Sequence, residues 1–153
     1  MKKTILIAAF FALAIGALVY VLERPTDGVE PIVWDQATCA HCHMHIGDPH
    51  YAAQIHTADG RVLNFDDPGC LFEYVEQNRL QTTAAYFHHY REDRWLSRDE
   101  AGFIEVDEDT PMGYGIGAVD RVDNQDQHPD MMSFEGAKDV VLRSGRLEQE
   151  ESR

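Results

Sequence analysis

Six side chains that bind metal ions lie within one segment of seven residues, Cys39–His45. The segment contains two cysteines, three histidines and a methionine. Thiolate and thioether sulfur are soft donors that select Cu(I) over hard ions, and imidazole also binds copper. A third cysteine, Cys70, is expected in the first turn of a helix, where the helix dipole favours the thiolate. These residue types predict a copper site built around this segment.

The spacing within the segment also predicts how its side chains are divided. If residues 42–45 are extended, the two sulfur side chains project to one face and the three histidines, His41, His43 and His45, to the other. The sulfur face is expected to bind Cu(I), and the imidazole face to bind Cu(II) or Zn(II).

The same cysteines fit other kinds of chemistry. Cys39 and Cys42 form a Cys-x-x-Cys pair, which in an oxidising compartment is often a structural or redox disulfide. A thiol–disulfide oxidoreductase is therefore an alternative, although no strand precedes the pair and no convincing helix follows it. Since the number of cysteines is odd, at least one thiol has no intramolecular partner. Met44 and Cys70 can also be explained as core packing.

Two more hypotheses involve a bound group. Cys39-x-x-Cys42-His43 matches the attachment pattern of c-type haem, with His43 as proximal ligand and Met112 as the second ligand. A structural zinc module would instead use the three cysteines and a histidine.

The elements around the segment follow from turn and capping signals. Tyr51–Thr57 and Arg61–Phe65 are predicted to be strands joined at Asp59-Gly60, which is a strong hairpin signal. The next helix is predicted to have Asp67 as N-cap and Pro68 at its first position, and to end near Asn78.

A second set of elements follows the same order, with hairpin strands before a helix. Strands are predicted at 84–90, 95–96, 103–106 and 118–122, and a helix capped by Ser133 is predicted to end at Gly145. The chain is therefore assigned to the α+β class, built from two related small units.

Composition limits the partners of the chain. The formal net charge is -14, from 13 basic and 27 acidic residues. Such a surface repels phosphate, which excludes nucleic-acid binding and leaves cations as the natural partners. The glycine-rich stretch Thr110–Gly117 is not a phosphate loop, because no lysine follows it.

The first residues predict a membrane anchor. Lys2 and Lys3 precede an apolar run of eighteen residues, Ile5–Leu22, which as a helix is about 27 Å long. The positive charge keeps that end in the cytoplasm, so the rest is expected in the periplasm, tethered to the inner membrane by an uncleaved helix. The alternative is a cleaved signal peptide and a soluble protein.

Several segments in order resemble the NosL family of nitrous oxide reductase accessory proteins. They are Cys39–Ile46, Tyr51–Ile55, Asp59–Asp67, Gly69-Cys70, Thr110–Gly113 and Gly115-Ile116. The first half is also similar to small metal modules of the TRASH/YHS type.

This resemblance implies a membrane-tethered Cu(I) chaperone, not an enzyme, that serves denitrification by supplying the copper centre of nitrous oxide reductase. It also implies two related ββαβ units. The family's cysteine-x-methionine motif corresponds to Cys42 and Met44, and its second methionine to Met112. The chain departs from the family in lacking a lipid-attachment cysteine and in having His43 where a glycine is usual.

The resulting hypothesis makes Cys42 the strongest copper ligand and Met44 a neutral, labile one. Met112 or His45 completes the site, and Cys70 is an additional donor. Cys39 is either a further ligand or the disulfide partner of Cys42 in an oxidised resting form. The copper acceptor is expected to be nitrous oxide reductase or another copper-assembly protein, and a dimer with a NosL-type paralogue is a further expectation. The expected divisions are an anchor (1–24), a linker (25–35), a ββα metal-binding unit (36–80), a second α+β unit (81–147) and a polar tail (148–153).

Overall fold

A computed structural model describes residues 28–107, 109–124 and 126–151. It contains six strands and two α-helices, with a short 3-10 turn at Pro49–Tyr51. In chain order these are β1 (Ala53–Thr57), β2 (Val62–Phe65), α1 (Pro68–Asn78), β3 (Thr82–His88), β4 (Trp95–Ser97), β5 (Ala101–Glu105), β6 (Ile116–Asp120) and α2 (Phe134–Glu151). The predicted anchor (1–24) lies outside the described residues. No helix in the described ranges is long and apolar enough to cross a membrane.

The first hairpin and the helix after it confirm the sequence prediction. β1 and β2 pair antiparallel, from Ala53 opposite Phe65 to His56 opposite Val62. Gly60 has a φ of +83°, the left-handed conformation that glycine adopts without strain. At the start of α1 the Asp67 side chain accepts a hydrogen bond from the amide of Gly69 at 2.8 Å, as an N-cap does. The helix ends at Asn78.

Four strands form one antiparallel sheet in the order β2-β1-β3-β4. β3 pairs with β1. The sheet therefore joins strands from both sides of residue 80, the predicted boundary between the two units. The strand predicted at 84–90 begins and ends two residues earlier than expected. Its predicted last residues instead contact β6, where the amide of Tyr90 donates to the carbonyl of Ala118 at 2.9 Å.

The second hairpin, β5–β6, forms a separate two-stranded sheet. Ser133 caps α2 as predicted, because its hydroxyl accepts a hydrogen bond from the amide of Gly136 at 3.2 Å. The predicted end of this helix at Gly145 is wrong, since α2 continues to Glu151. Interior glycine costs only about 1 kcal/mol relative to alanine, and good helix formers follow it.

The α+β assignment is confirmed as two antiparallel sheets with two helices. The first half has the order β1-β2-α1-β3, with β3 returning to the sheet. In the second half no strand follows α2 within the described residues, so the repeated ββαβ pattern is incomplete there.

Four phenylalanines link the two halves in the core. Phe72 of α1, Phe87 of β3, Phe103 of β5 and Phe134 of α2 have ring centroids between 4.8 and 6.4 Å apart. Most of these rings meet edge to face, the arrangement that the aromatic quadrupole favours. We call these four residues the aromatic cluster. Because it spans both sheets and both helices, it fixes α1 relative to the second half.

Candidate metal centre

Residues 39–44 form a tight turn, which we call the cysteine knuckle. The amide of Cys39 donates to the carbonyl of Met44 at 2.8 Å, and the amide of His43 donates to the carbonyl of Cys39 at 3.1 Å. His43 has a φ of +64°, a left-handed conformation that glycine adopts most easily but histidine tolerates. The prediction of an extended segment with a sulfur face and an imidazole face is therefore wrong. Local backbone hydrogen bonds close the turn, so successive side chains do not alternate between two faces as they would in an extended segment.

The knuckle rests on the corner between β2 and α1. The amide of Ala40 donates to the carbonyl of Asn64 in β2 at 2.9 Å. Directly after β2 come Asp66, which is 2% exposed, and the N-cap Asp67. Cys70 is fully buried in the first turn of α1, as the sequence predicts. The hairpin therefore folds the helix start back against the knuckle.

This corner brings three thiols and a carboxylate together. One ligand atom from each of Cys39, Cys42, Asp66 and Cys70 lies within 4.8 Å of the others. The Cys42 Sγ is 3.5 Å from both carboxylate oxygens of Asp66, so the thiol can donate to either. All three cysteines are free thiols in this structure, with no disulfide between Cys39 and Cys42. We call these four residues the Cys3Asp cluster.

Backbone amides point at two of the sulfur atoms. The amides of Cys42 and Asp66 donate to the Cys39 sulfur, and the amide of Met44 donates to the Cys42 sulfur. Such hydrogen bonds stabilise a thiolate, whether it is free or bound to a metal. The main chain of the knuckle and of the adjoining β2–α1 corner therefore stabilises charge on sulfur.

The three thiols differ in acidity. A hydrogen bond from the Cys70 thiol is the main cause that lowers the pKa of Cys39 to about 7. Burial raises the pKa of Cys42 to about 11. The pKa of Cys70 is raised because its thiol donates to Cys39 and is itself buried. Among the three thiols, Cys39 is therefore the first to lose its proton when no metal is bound.

The other predicted donors lie at the surface. Met44 is 53% exposed and Met112 is 36% exposed, and the His45 side chain is also exposed. The amide of Met112 nevertheless donates to Asp67 at 3.3 Å, which attaches its loop to the N-cap beside the cluster. The sequence predicts Cys39, Cys42 and Cys70 as donors, and the structure places the three together.

Asp66 is the member of the cluster that sequence reasoning missed. In the sequence it stands out only as part of the helix start Asp66-Asp67-Pro68. A signal was available, because two aspartates precede this helix and a helix needs only one N-cap.

The donor set defines which ions fit. Three sulfurs suit Cu(I), which accepts low-coordinate soft ligands, and the addition of a carboxylate oxygen also matches a four-coordinate Zn²⁺ site. In both cases the bound metal would replace thiol protons. The geometry therefore fits metal binding.

Comparison with known proteins places this site in a family. The NosL family profile matches residues 32–112, slightly more than half of the chain. This range includes all four members of the Cys3Asp cluster. No curated protein matches the sequence.

A solved structure has a similar fold. It is the crystal structure of the copper chaperone NosL from Shewanella denitrificans, with a TM-score of 0.59 and 18% sequence identity. The similarity covers 72% of this chain and 96% of that one. At this level of identity the match supports the fold. Since the family profile covers the knuckle, both hairpin strands, α1 and Met112, the chain belongs to the NosL family.

Proposed function

We propose that this protein is a copper chaperone that carries Cu(I) on the sulfur atoms of Cys39, Cys42 and Cys70. The observation that carries the proposal is the convergence of these three thiols at one buried corner. Amide donors and a Cys39 pKa of about 7 prepare the first of them to bind as a thiolate. Membership of the NosL family and the fold shared with the copper chaperone from Shewanella denitrificans support the same function.

Proton release accompanies copper binding in this proposal. At neutral pH the Cys42 and Cys70 thiols are protonated, because the pKa of each is raised. The Cys42 thiol lies 3.5 Å from both carboxylate oxygens of Asp66, and the protons that copper replaces are released to solvent. Copper release reverses the exchange.

Exchange with a partner needs ligands at the surface. Cu(I) is transferred by ligand exchange, in which a donor atom of the acceptor binds the ion before a donor atom of the chaperone leaves it. The low coordination number of Cu(I) allows this. We assign this role to Met44, which is exposed and whose main-chain amide contacts the Cys42 sulfur. Met112 is the second candidate, since its loop is attached to Asp67. Both methionines are neutral and therefore labile donors.

The place and destination of copper delivery are also part of the proposal. A periplasmic position at the inner membrane follows from the apolar run Ile5–Leu22 and the charges before it. The acceptor would be nitrous oxide reductase or another copper-assembly protein, with a NosL-type paralogue as a partner. The protein would act as a carrier without catalysing a reaction.

A structural zinc module is the second candidate, and Asp66 is the observation that favours it. A carboxylate oxygen is a common zinc ligand and a poor one for Cu(I), and three cysteines with Asp66 make four donors. A zinc module would unfold on chelation, whereas a chaperone stays folded without its cargo. The large aromatic cluster, which is independent of any metal, favours the chaperone.

Haem attachment and thiol–disulfide exchange fit the geometry less well than metal binding does. Covalent haem attachment would need access to Cys39, whose side chain is fully buried. A thioredoxin-like reaction would need the Cys39–Cys42 pair at a helix start, whereas here the pair lies in a turn that is not followed by a helix.

The test compares Cu(I) affinities of reduced variants against a chromophoric chelator. Loss of a residue that only supports a metal ligand costs about 10- to 100-fold in affinity. We expect Cys42→Ser to weaken Cu(I) binding by more than about 100-fold, because it removes a ligand itself. Met44→Ala should leave affinity within about threefold and slow transfer to an acceptor. Met131→Ala is the matched control, because it also removes a methionine, but one that is not a proposed ligand and whose sulfur packs on Gly102 in β5. Unchanged affinity in Cys42→Ser would reject the assignment, and tight Zn²⁺ binding with unfolding on chelation would favour the zinc module.

A further inference from the structure

One carboxylate on α1 connects the two loops that border the Cys3Asp cluster. The Glu73 Oε2 is 3.0 Å from the Nε2 of His41, which lies inside the cysteine knuckle between two metal-binding cysteines. Both side chains are largely buried, with 17% of Glu73 and 19% of His41 exposed. A contact protected from water in this way is screened less than a surface ion pair.

The second loop is Thr110–Gly115, which we call the methionine loop because it carries Met112. Its Tyr114 hydroxyl lies within hydrogen-bonding reach of the Glu73 carboxylate. The Tyr114 ring lies against Gly69, so closely that a Cβ on Gly69 would be 2.1 Å from the ring. Only a glycine before Cys70 allows this ring to sit on the first turn of α1.

Asp67 gives the methionine loop a second attachment. Its carboxylate accepts hydrogen bonds from the Thr110 hydroxyl and from the amide of Met112, and it also caps α1. The methionine loop is therefore held at the helix N-cap by Asp67 and nearly two turns later by Glu73. The knuckle is held to the same helix by Glu73 through His41.

We infer that Glu73 is a positioning residue that keeps the cysteine knuckle and the methionine loop in register with Cys70. Glu73 acts through His41 and Tyr114 and is not assigned as a ligand. The inference rests on the proposed function and extends it to the control of copper release. With Glu73 in place, the Cys39 and Cys42 sulfurs and the Met112 loop keep fixed positions relative to the Cys70 sulfur. Without it, the knuckle loses the contact of His41 with α1, and the methionine loop loses the hydrogen bond of Tyr114 and keeps its attachment at Asp67, so bound copper should exchange faster.

The test substitutes Glu73→Gln, which keeps the shape of the side chain and removes its charge. Glu76→Gln is the matched control, because Glu76 lies one turn later on α1, is 56% exposed and pairs only loosely with Lys138 at 3.7 Å. The measurements are the rate of Cu(I) transfer from each loaded protein to a strong Cu(I) chelator and the melting temperature of the metal-free protein. Loss of a residue that supports ligands typically costs about 10- to 100-fold, so we expect transfer at least about tenfold faster in Glu73→Gln. Glu76→Gln should match the wild type.

A second variant, Tyr114→Phe, keeps the inference testable if Glu73→Gln folds poorly. Tyr114→Phe keeps the ring on Gly69 and removes the hydroxyl, so it should accelerate transfer by a smaller factor. Where Glu73→Gln folds, adding Tyr114→Phe to it should produce less than the product of the two effects, because Glu73→Gln weakens the same contact that Tyr114→Phe removes. A lower melting temperature with an unchanged transfer rate would overturn the inference. If the wild type itself bound no Cu(I), the proposed function would fail, which is a distinct result.

Discussion

Two regions of this molecule share one local design and use it for different purposes. In the first half the hairpin β1–β2 precedes α1, and in the second half the hairpin β5–β6 precedes α2. The first turn of α1 brings Cys70 to two other thiols and a carboxylate. The first turn of α2 brings Phe134 to three other phenylalanine rings.

The difference lies in what packs against each helix start. The cysteine knuckle precedes the first hairpin and attaches to β2 through Ala40, so α1 begins beside sulfur donors. The start of α2 lies beside β5, where Met132 and Phe103 exchange backbone hydrogen bonds of 2.7 and 3.0 Å. The first helix start therefore forms part of the proposed metal site, and the second completes the core. The hairpin–helix order alone specifies neither role.

The aromatic cluster offers the largest test of this division. We expect Phe103→Ala to lower the free energy of unfolding by about 3–5 kcal/mol, because Phe103 is fully buried and touches the other three rings. Chemical denaturation of the metal-free protein measures the loss. Cu(I) affinity of the folded fraction should change little.

Cys70→Ser provides the reverse comparison. It should remove most of the increase in the free energy of unfolding that Cu(I) binding adds. Without metal, the Cys70→Ser protein should still have a much higher free energy of unfolding than the Phe103→Ala protein. If Phe103→Ala removed copper binding as fully as Cys70→Ser does, the division of roles between the two regions would be wrong.

The pH dependence of Cu(I) affinity tests how many thiols bind. Above pH 7 copper displaces protons from Cys42 and Cys70, and below the Cys39 pKa of about 7 it displaces a third from Cys39. Affinity should therefore fall by about 100-fold for each pH unit lost above pH 7 and approach about 1000-fold per unit below it. Competition titrations with a chelator, corrected for its own protonation, give the slope. In Cys70→Ser one proton fewer is displaced, so the loss of Cu(I) affinity per pH unit should be about tenfold smaller than in the wild type. A loss of only about tenfold per pH unit in the wild type would mean a single thiolate ligand.

The smallest expected effect comes from two glycines in corresponding first turns. At Gly136 in α2 an added Cβ would meet only ordinary contacts of 3.5 Å or more, so Gly136→Ala should stabilise the protein by about 0.5–1 kcal/mol. At Gly69 in α1 the same change would collide with the Tyr114 ring, so Gly69→Ala should destabilise. Thermal unfolding measures both. Equal shifts in the two variants would show that Tyr114 moves aside without cost.

Much of the local structure could be predicted from the sequence. Asp59-Gly60 marks the first turn, Asp67-Pro68 marks the start of α1, and Ser133 marks the start of α2. Each signal acts through neighbours in the chain, by a backbone conformation or a capping hydrogen bond, so tertiary context is not needed to recognise it. The three cysteines are recognisable as donors for the same reason, because thiol chemistry belongs to the residue type.

The tertiary structure alone decided which donors meet. Hydrogen bonds within the knuckle turned a segment predicted to be extended, and they left Met44 and His45 exposed. Asp66 joined the cluster because the β2–α1 corner packs on residues more than twenty positions earlier in the chain. Burial and contact, which depend on that packing, then set three different pKa values for three chemically identical thiols. Residue type determined that this chain carries soft donors, and long-range packing determined which of them lie together.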